Sequence, residues 1–109
     1  MKVLVTGLRG LKVDDNLKSY AEEKVLKFVP LLEEPAVCEI MLADELGQKD
    51  GVDKSVHITM TLPNEKNPLH VEVTTSDFFG SIDLAEEKLE REIIKYKEKI
   101  KIGDRHIEE

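Results

Sequence analysis

Cysteine occurs once in this 109-residue chain, at Cys38, so no internal disulfide can form. Its Cys-Glu-Ile-Met-Leu setting predicts a reduced, half-buried strand residue in a cytoplasmic compartment. No apolar run approaches the roughly 20 residues needed to span a bilayer, so no membrane partner is expected. The opening MKVLVTGLRG has neither a signal peptide's long apolar region nor an Arg- and Ser-rich transit character, and it reads as a first strand. Walker loops, GxGxxG turns and nucleophile elbows are missing. Asp77 and Asp83 have the spacing of a helix cap and a second turn, not of an acid/base pair. Catalysis, a cofactor and a small-molecule substrate are therefore not expected. Internal repeats, low-complexity segments and interdomain linkers are absent as well.

An excess of basic charge is also missing. The net charge is −7, which at first argues against a phosphate-bearing ligand. The distribution weakens that objection. Residues 33–53 hold seven acids (Glu33, Glu34, Glu39, Asp44, Glu45, Asp50, Asp53) and one base, Lys49. The rest of the chain holds sixteen acids and fifteen bases, close to neutral. Binding responds to local potential within a Debye length of about 8–10 Å, so net charge does not decide the matter.

What is present describes one soluble globular domain: 40% hydrophobic and 36% charged residues. A chain of this length buries roughly two-thirds of its unfolded surface without staples. Lys2–Thr6 predicts a strand with Val3 and Val5 on one face. Asp14 or Asp15 can cap a helix whose apolar positions Leu17, Ala21, Val25, Phe28 and Leu32 follow at helical spacing. Pro30 should end it near Val29. Ala36–Ala43 reads as a second strand with Cys38, Ile40 and Leu42 on one face, parallel to the first because a helix joins them. Residues 44–53 read as an acidic loop. Lys54–Leu62 and the segment from Pro68 alternate cleanly and form a hairpin across Pro63–Asn67. Pairing Leu62 with Leu69 would place His57 opposite Thr74 and His70 opposite Thr61. The imidazoles would then stand well apart, and no metal site is expected.

Asp77 is placed to cap a long second helix through its carboxylate. There Ile82, Ala85, Leu89, Ile93, Tyr96 and Ile100 recur at three- and four-residue steps and define a core stripe. At about 100° per residue, Lys88, Arg91, Lys95 and Lys99 share an arc roughly 80° wide beside that stripe. Glu86, Glu87, Glu90 and Glu98 fall on the other side. One reading is a solvated helix with i,i+4 pairs such as Glu87–Arg91 and Lys88–Glu92. The other is a phosphate-binding ridge. The order β-α-β-β-β-α gives an α+β fold: a four-stranded mixed sheet with both helices on one face and the other face polar. Residues 1–102 form the domain, and 103–109 a flexible C-terminal tail.

The segment from Ser76, SDFFGSIDLAEEKLEREIIKYKEKIK, resembles the signature helix of the ribosome hibernation promoting factor and ribosome-associated inhibitor family. Its carriers are the acidic residue, the aromatic pair, Ile-Asp, Lys-Leu, Arg and the Lys-rich end. VTGLRGLKVDDNLKSYAEEKVLKF and HITMTLPNEKNPLHVEV are similar to the family's opening and hairpin, so the resemblance runs from Met1 to about Lys101. It implies a fold similar to a double-stranded-RNA-binding domain. The implied function is binding in the mRNA and tRNA channel of the small ribosomal subunit, to ribosomal RNA and to ribosomal protein. Translation would thereby be inhibited and ribosomes held in hibernation during stress or stationary phase. Carried over by position, the RNA-binding residues are Lys24, Lys27, Lys88, Arg91, Lys95, Lys97 and Lys99. The family's long form has a further C-terminal dimerisation domain with no counterpart here, so a short-form factor or an isolated N-terminal domain is expected, monomeric when free. The alternative is a protein-binding regulator that uses the open sheet face and the acidic 44–53 loop. A small acylphosphatase-like hydrolase fits poorly, because the element order differs and no Arg-bearing anion loop is evident.

Overall fold

The computed structural model describes residues 1–45 and 53–108, with side chains described up to Ile100. Strand β1 (Lys2–Gly7), helix α1 (Asp15–Leu26), a short 3₁₀ turn (Val29–Leu31), β2 (Val37–Asp44), β3 (Lys54–Thr61), β4 (Leu69–Thr75) and α2 (Phe78–Glu108) follow in order. The strands lie side by side as β1-β2-β3-β4, with β1 parallel to β2 and the other pairs antiparallel. This is the mixed four-stranded α+β sheet that the alternation predicts. The acidic loop expected over 44–53 lies largely outside the described residues, as do the side chains of the expected tail at 103–109.

Period-two alternation sends Cys38, Ile40, Leu42, Val56, Ile58, Met60, Val71 and Val73 to one sheet face. Against them pack Leu17, Ala21 and Val25 from α1 and Ile82, Ala85, Leu89, Ile93 and Tyr96 from α2, all buried. Both helices therefore cover one face. Cys38 is fully buried, not half-buried, because it shares the core face with Ile40 and Leu42. Loss of water pushes its thiol pKa up to about 12, with a further push from Glu39. Ile100, expected in the core stripe, is 38% exposed.

Local chemistry sets the element ends. Asp14 caps α1, accepting from the Leu17 N–H at 2.8 Å. The helix stops at Leu26, a turn earlier than expected, because the Pro30 ring would crowd the Leu26 carbonyl and Pro30 has no N–H to donate. Phe28, just beyond it, still reaches the core. After β1, the turn Leu8–Leu11 closes by the Leu11 N–H on the Leu8 carbonyl at 3.1 Å, with Arg9 and Gly10 at φ 53° and 78°. A Cβ at Gly7 would lie 2.1 Å from the Leu11 carbonyl oxygen, so no side chain fits there.

The hairpin register differs from expectation by two residues. Met60 faces Leu69, Thr59 faces His70 and His57 faces Glu72. A slip of two preserves which face each side chain takes, so alternation cannot detect it. The cause lies at the turn. Pairing Leu62 with Leu69 would draw Pro68 and Pro63 towards the ladder, and neither has an N–H to offer. Leu62 instead leaves the strand and is buried in the core.

Candidate nucleic-acid interface

The rotation of α2 about its axis decides where its charges point, and its first turn is pinned. The Asp77 carboxylate accepts from the Gly80 N–H at 3.1 Å, as the capping pattern predicts. One turn on, the fully buried Ser81 hydroxyl donates to the Lys54 carbonyl at 2.6 Å and accepts from the Thr75 N–H at 3.1 Å. The helix start is thereby tied to both β3 and β4. The apolar stripe locks the rest of the helix against the same strands.

With the stripe buried, Lys88, Arg91, Lys95 and Lys99 emerge exposed on the side of α2 next to the sheet edge at β4. The Lys88 ammonium donates to the Glu72 carbonyl at 3.3 Å. Lys95 pairs with Glu92 at 3.3 Å and Lys99 with Glu65 at 3.2 Å, both lysines about three-quarters exposed. Among the described residues Arg91 has no carboxylate partner. The expected pairs Glu87–Arg91 and Lys88–Glu92 are likewise not formed among them. Exposed ion pairs contribute roughly 0–1 kcal/mol, so Lys95 and Lys99 can exchange their carboxylates for another anion at little cost.

Lys88, Arg91, Lys95 and Glu92 share a groove of about 330 Å³ with His70, Val71 and Glu72 of β4. Sequence reasoning missed this β4 wall: it placed the histidines on strands, away from the basic helix flanks, and the packing of α2 beside β4 is not written in either element alone. Glu72 is held below the usual carboxylate range, chiefly by its hydrogen bond with His70 and then by the nearby His57.

Lys24 and Lys27, in α1 and at its C-terminal cap, meet the opposite side of α2, and Lys97 of α2 points there towards the 3₁₀ turn. Lys24 pairs with Asp83 at 3.3 Å, and Lys27 with Glu86 and, at 3.8 Å, Glu90. The Asp83 contact is the main reason the Lys24 ammonium holds its proton more tightly than usual. Tyr20 donates to the same Asp83 carboxylate at 2.6 Å, which raises the phenol pKa. Lys97 donates to the Leu31 carbonyl at 2.9 Å. The seven candidate cations thus form two groups: four on the ridge beside β4, and three on the opposite side, bonded between α2 and either α1 or the 3₁₀ turn. A rotation of about 180° between Lys88 and Lys97 already separates them on a helical wheel.

Known proteins bear on this geometry. The family described as Sigma 54 modulation protein / S30EA ribosomal protein matches residues 4–101. A ribosome hibernation promotion factor from Lactococcus lactis subsp. cremoris is 35% identical over 92 residues, 83% of this chain and 48% of that protein. A ribosome hibernation promoting factor from Azotobacter vinelandii is 30% identical over 102 residues, 91% of this chain and 85% of that protein. The chain spans about half the length of the Lactococcus relative and of a Bacillus subtilis one. Among solved structures, the Thermus thermophilus Protein Y N-terminal domain superposes with a TM-score of 0.72. It is 23% identical and covers 88% of this chain and 99% of its own, a likeness of fold. With nearly the whole sheet and both helices inside the matched span, the chain belongs to the Sigma 54 modulation protein / S30EA ribosomal protein family.

Proposed function

We propose that this chain is a non-enzymatic, cytoplasmic ribosome-binding factor that inhibits translation by occupying the mRNA and tRNA channel of the small subunit. The observation that carries the reading is the ridge: Lys88, Arg91, Lys95 and Lys99 on one exposed side of a helix whose rotation is fixed. The names of its relatives, ribosome hibernation factors, support the ribosome as target. Phosphates along ribosomal RNA would take the four cations as contacts, recognising backbone shape rather than sequence. Lys24, Lys27 and Lys97 form a secondary flank. They would reach phosphate only by exchanging the carboxylates of Asp83, Glu86 and Glu90, or the Leu31 carbonyl, for it.

The test is co-sedimentation of the purified chain with ribosomes and with separated subunits at two salt concentrations. Four phosphate contacts imply a log–log salt slope near −3, so raising salt from 50 to 200 mM should weaken small-subunit binding by roughly 100-fold. Binding indifferent to salt would instead favour a protein partner on the open sheet face. Failure to sediment with either subunit at low salt would overturn the reading.

A further inference from the structure

The observed β3–β4 register assembles a cluster on the open sheet face, at the β4 edge beside the ridge groove. His70 and Glu72 are two residues apart on β4 and so share a face, and His57 stands opposite Glu72 on β3. One Glu72 oxygen, Oε1, lies 3.4 Å from His57 Nδ1 and 3.1 Å from His70 Nε2. All three candidate ligand atoms fall within 4.8 Å of one another.

We propose that His57, His70 and Glu72 form a binding site for a divalent ion of the zinc class. Zinc takes imidazole nitrogen and carboxylate oxygen at about 2.0–2.2 Å, which in a tetrahedron sets ligand atoms about 3.3 Å apart. The two separations to Glu72 bracket that edge, and the two histidine nitrogens, within 4.8 Å of each other, would close on the ion by side-chain rotation. A supporting contact is already in place. The Thr59 hydroxyl lies 2.9 Å from His70 Nδ1, where it can accept a hydrogen bond from Nδ1–H in the tautomer whose Nε2 lone pair faces the cluster. His70 and Glu72 are exposed, so the fourth position is open to water. Magnesium and calcium prefer all-oxygen sites and find a single carboxylate here. The site borders the ridge groove, because His70 and Glu72 line it too. A bound ion would offset the Glu72 charge there, whether or not that groove holds RNA.

The test is calorimetric titration of the full chain with zinc chloride, and separately with magnesium chloride. The expected result is one zinc per chain and no response to magnesium. His57→Ala and His70→Ala should each remove binding, and Thr59→Val should weaken it roughly 10-fold or more. Circular dichroism checks that these exposed or half-buried changes leave the fold intact. His106→Ala should leave binding unchanged. Imidazole resonances of the unaltered protein give a readout that needs no variant: zinc should shift those of His57 and His70. Shifts confined to His106, retention of zinc by the His57→Ala/His70→Ala double variant, or equal binding of magnesium would overturn the assignment.

Discussion

Reversing Arg91 and Lys95 together, as Arg91→Glu with Lys95→Glu, is expected to abolish small-subunit binding and leave the thermal unfolding curve nearly unmoved. Both side chains are exposed and turned away from the core stripe, so neither change opens a cavity. Lys95→Glu replaces an exposed pair with Glu92 by a like-charge pair, which costs a few tenths of a kcal/mol on a helix surface. Binding responds far more strongly. Two lost phosphate contacts should lower the log–log salt slope from about −3 to about −1.5, and the introduced carboxylates add repulsion. The loss should not depend on RNA sequence. Glu87→Lys with Glu90→Lys is the control, since it adds charge outside the ridge and, among the described residues, gives up only the long Lys27–Glu90 contact of 3.8 Å. Gradient sedimentation and a translation assay read the outcome. Equal loss from both double variants would show that total charge, not the ridge, governs binding.

Leu89→Ala is expected to have the largest effect on stability. Leu89 is fully buried at the middle of the α2 stripe, between Ala85 and Ile93. Truncating it removes apolar contact and leaves a cavity that two flanking elements cannot readily close, a loss of about 2–5 kcal/mol. For a domain of this size that lowers the melting temperature on the order of 15 °C, as measured by thermal circular dichroism. Below its transition the variant should still bind ribosomes, because the four ridge cations are untouched. A variant that remains folded by circular dichroism but cannot bind would show that the ridge depends on core packing as well as on charge.

The difference between these two substitutions follows from a pattern already visible in the sequence. The 3.6-residue period of α2 separates Leu89 from Arg91, and the Asp77 cap sets where the helix begins, so core and ridge positions could be assigned without coordinates. The strands and the two-helices-on-one-face arrangement followed from alternation in the same way. Features of longer range were not legible. Alternation has period two and is blind to a slip of two, so the meeting of His57 and His70 around Glu72 was lost. The β4 wall of the ridge groove depends on how α2 lies against β4, which neither alternation nor a helical wheel contains. The pairing of Lys24 with Asp83 and of Lys27 with Glu86 depends on how α1 lies against α2, which no single helical wheel contains. Their partners could have been suspected, because the glutamate side of α2 must face something and α1 carries lysines on one flank.

Placement of the ridge against ribosomal RNA is tested most directly by cleavage from a tethered iron reagent. Cys38 is fully buried with its thiol pKa pushed up to about 12, so it should resist labelling and serve as a silent background. A single cysteine introduced by Lys95→Cys then carries the reagent on the ridge, and one introduced by Thr61→Cys carries it on the exposed end of β3. In complexes with the small subunit, hydroxyl radicals from the Lys95→Cys probe should cut the subunit's RNA more strongly than those from the Thr61→Cys probe. The reverse order, or no cutting from Lys95→Cys in an intact complex, would contradict the assignment of this helix face to RNA.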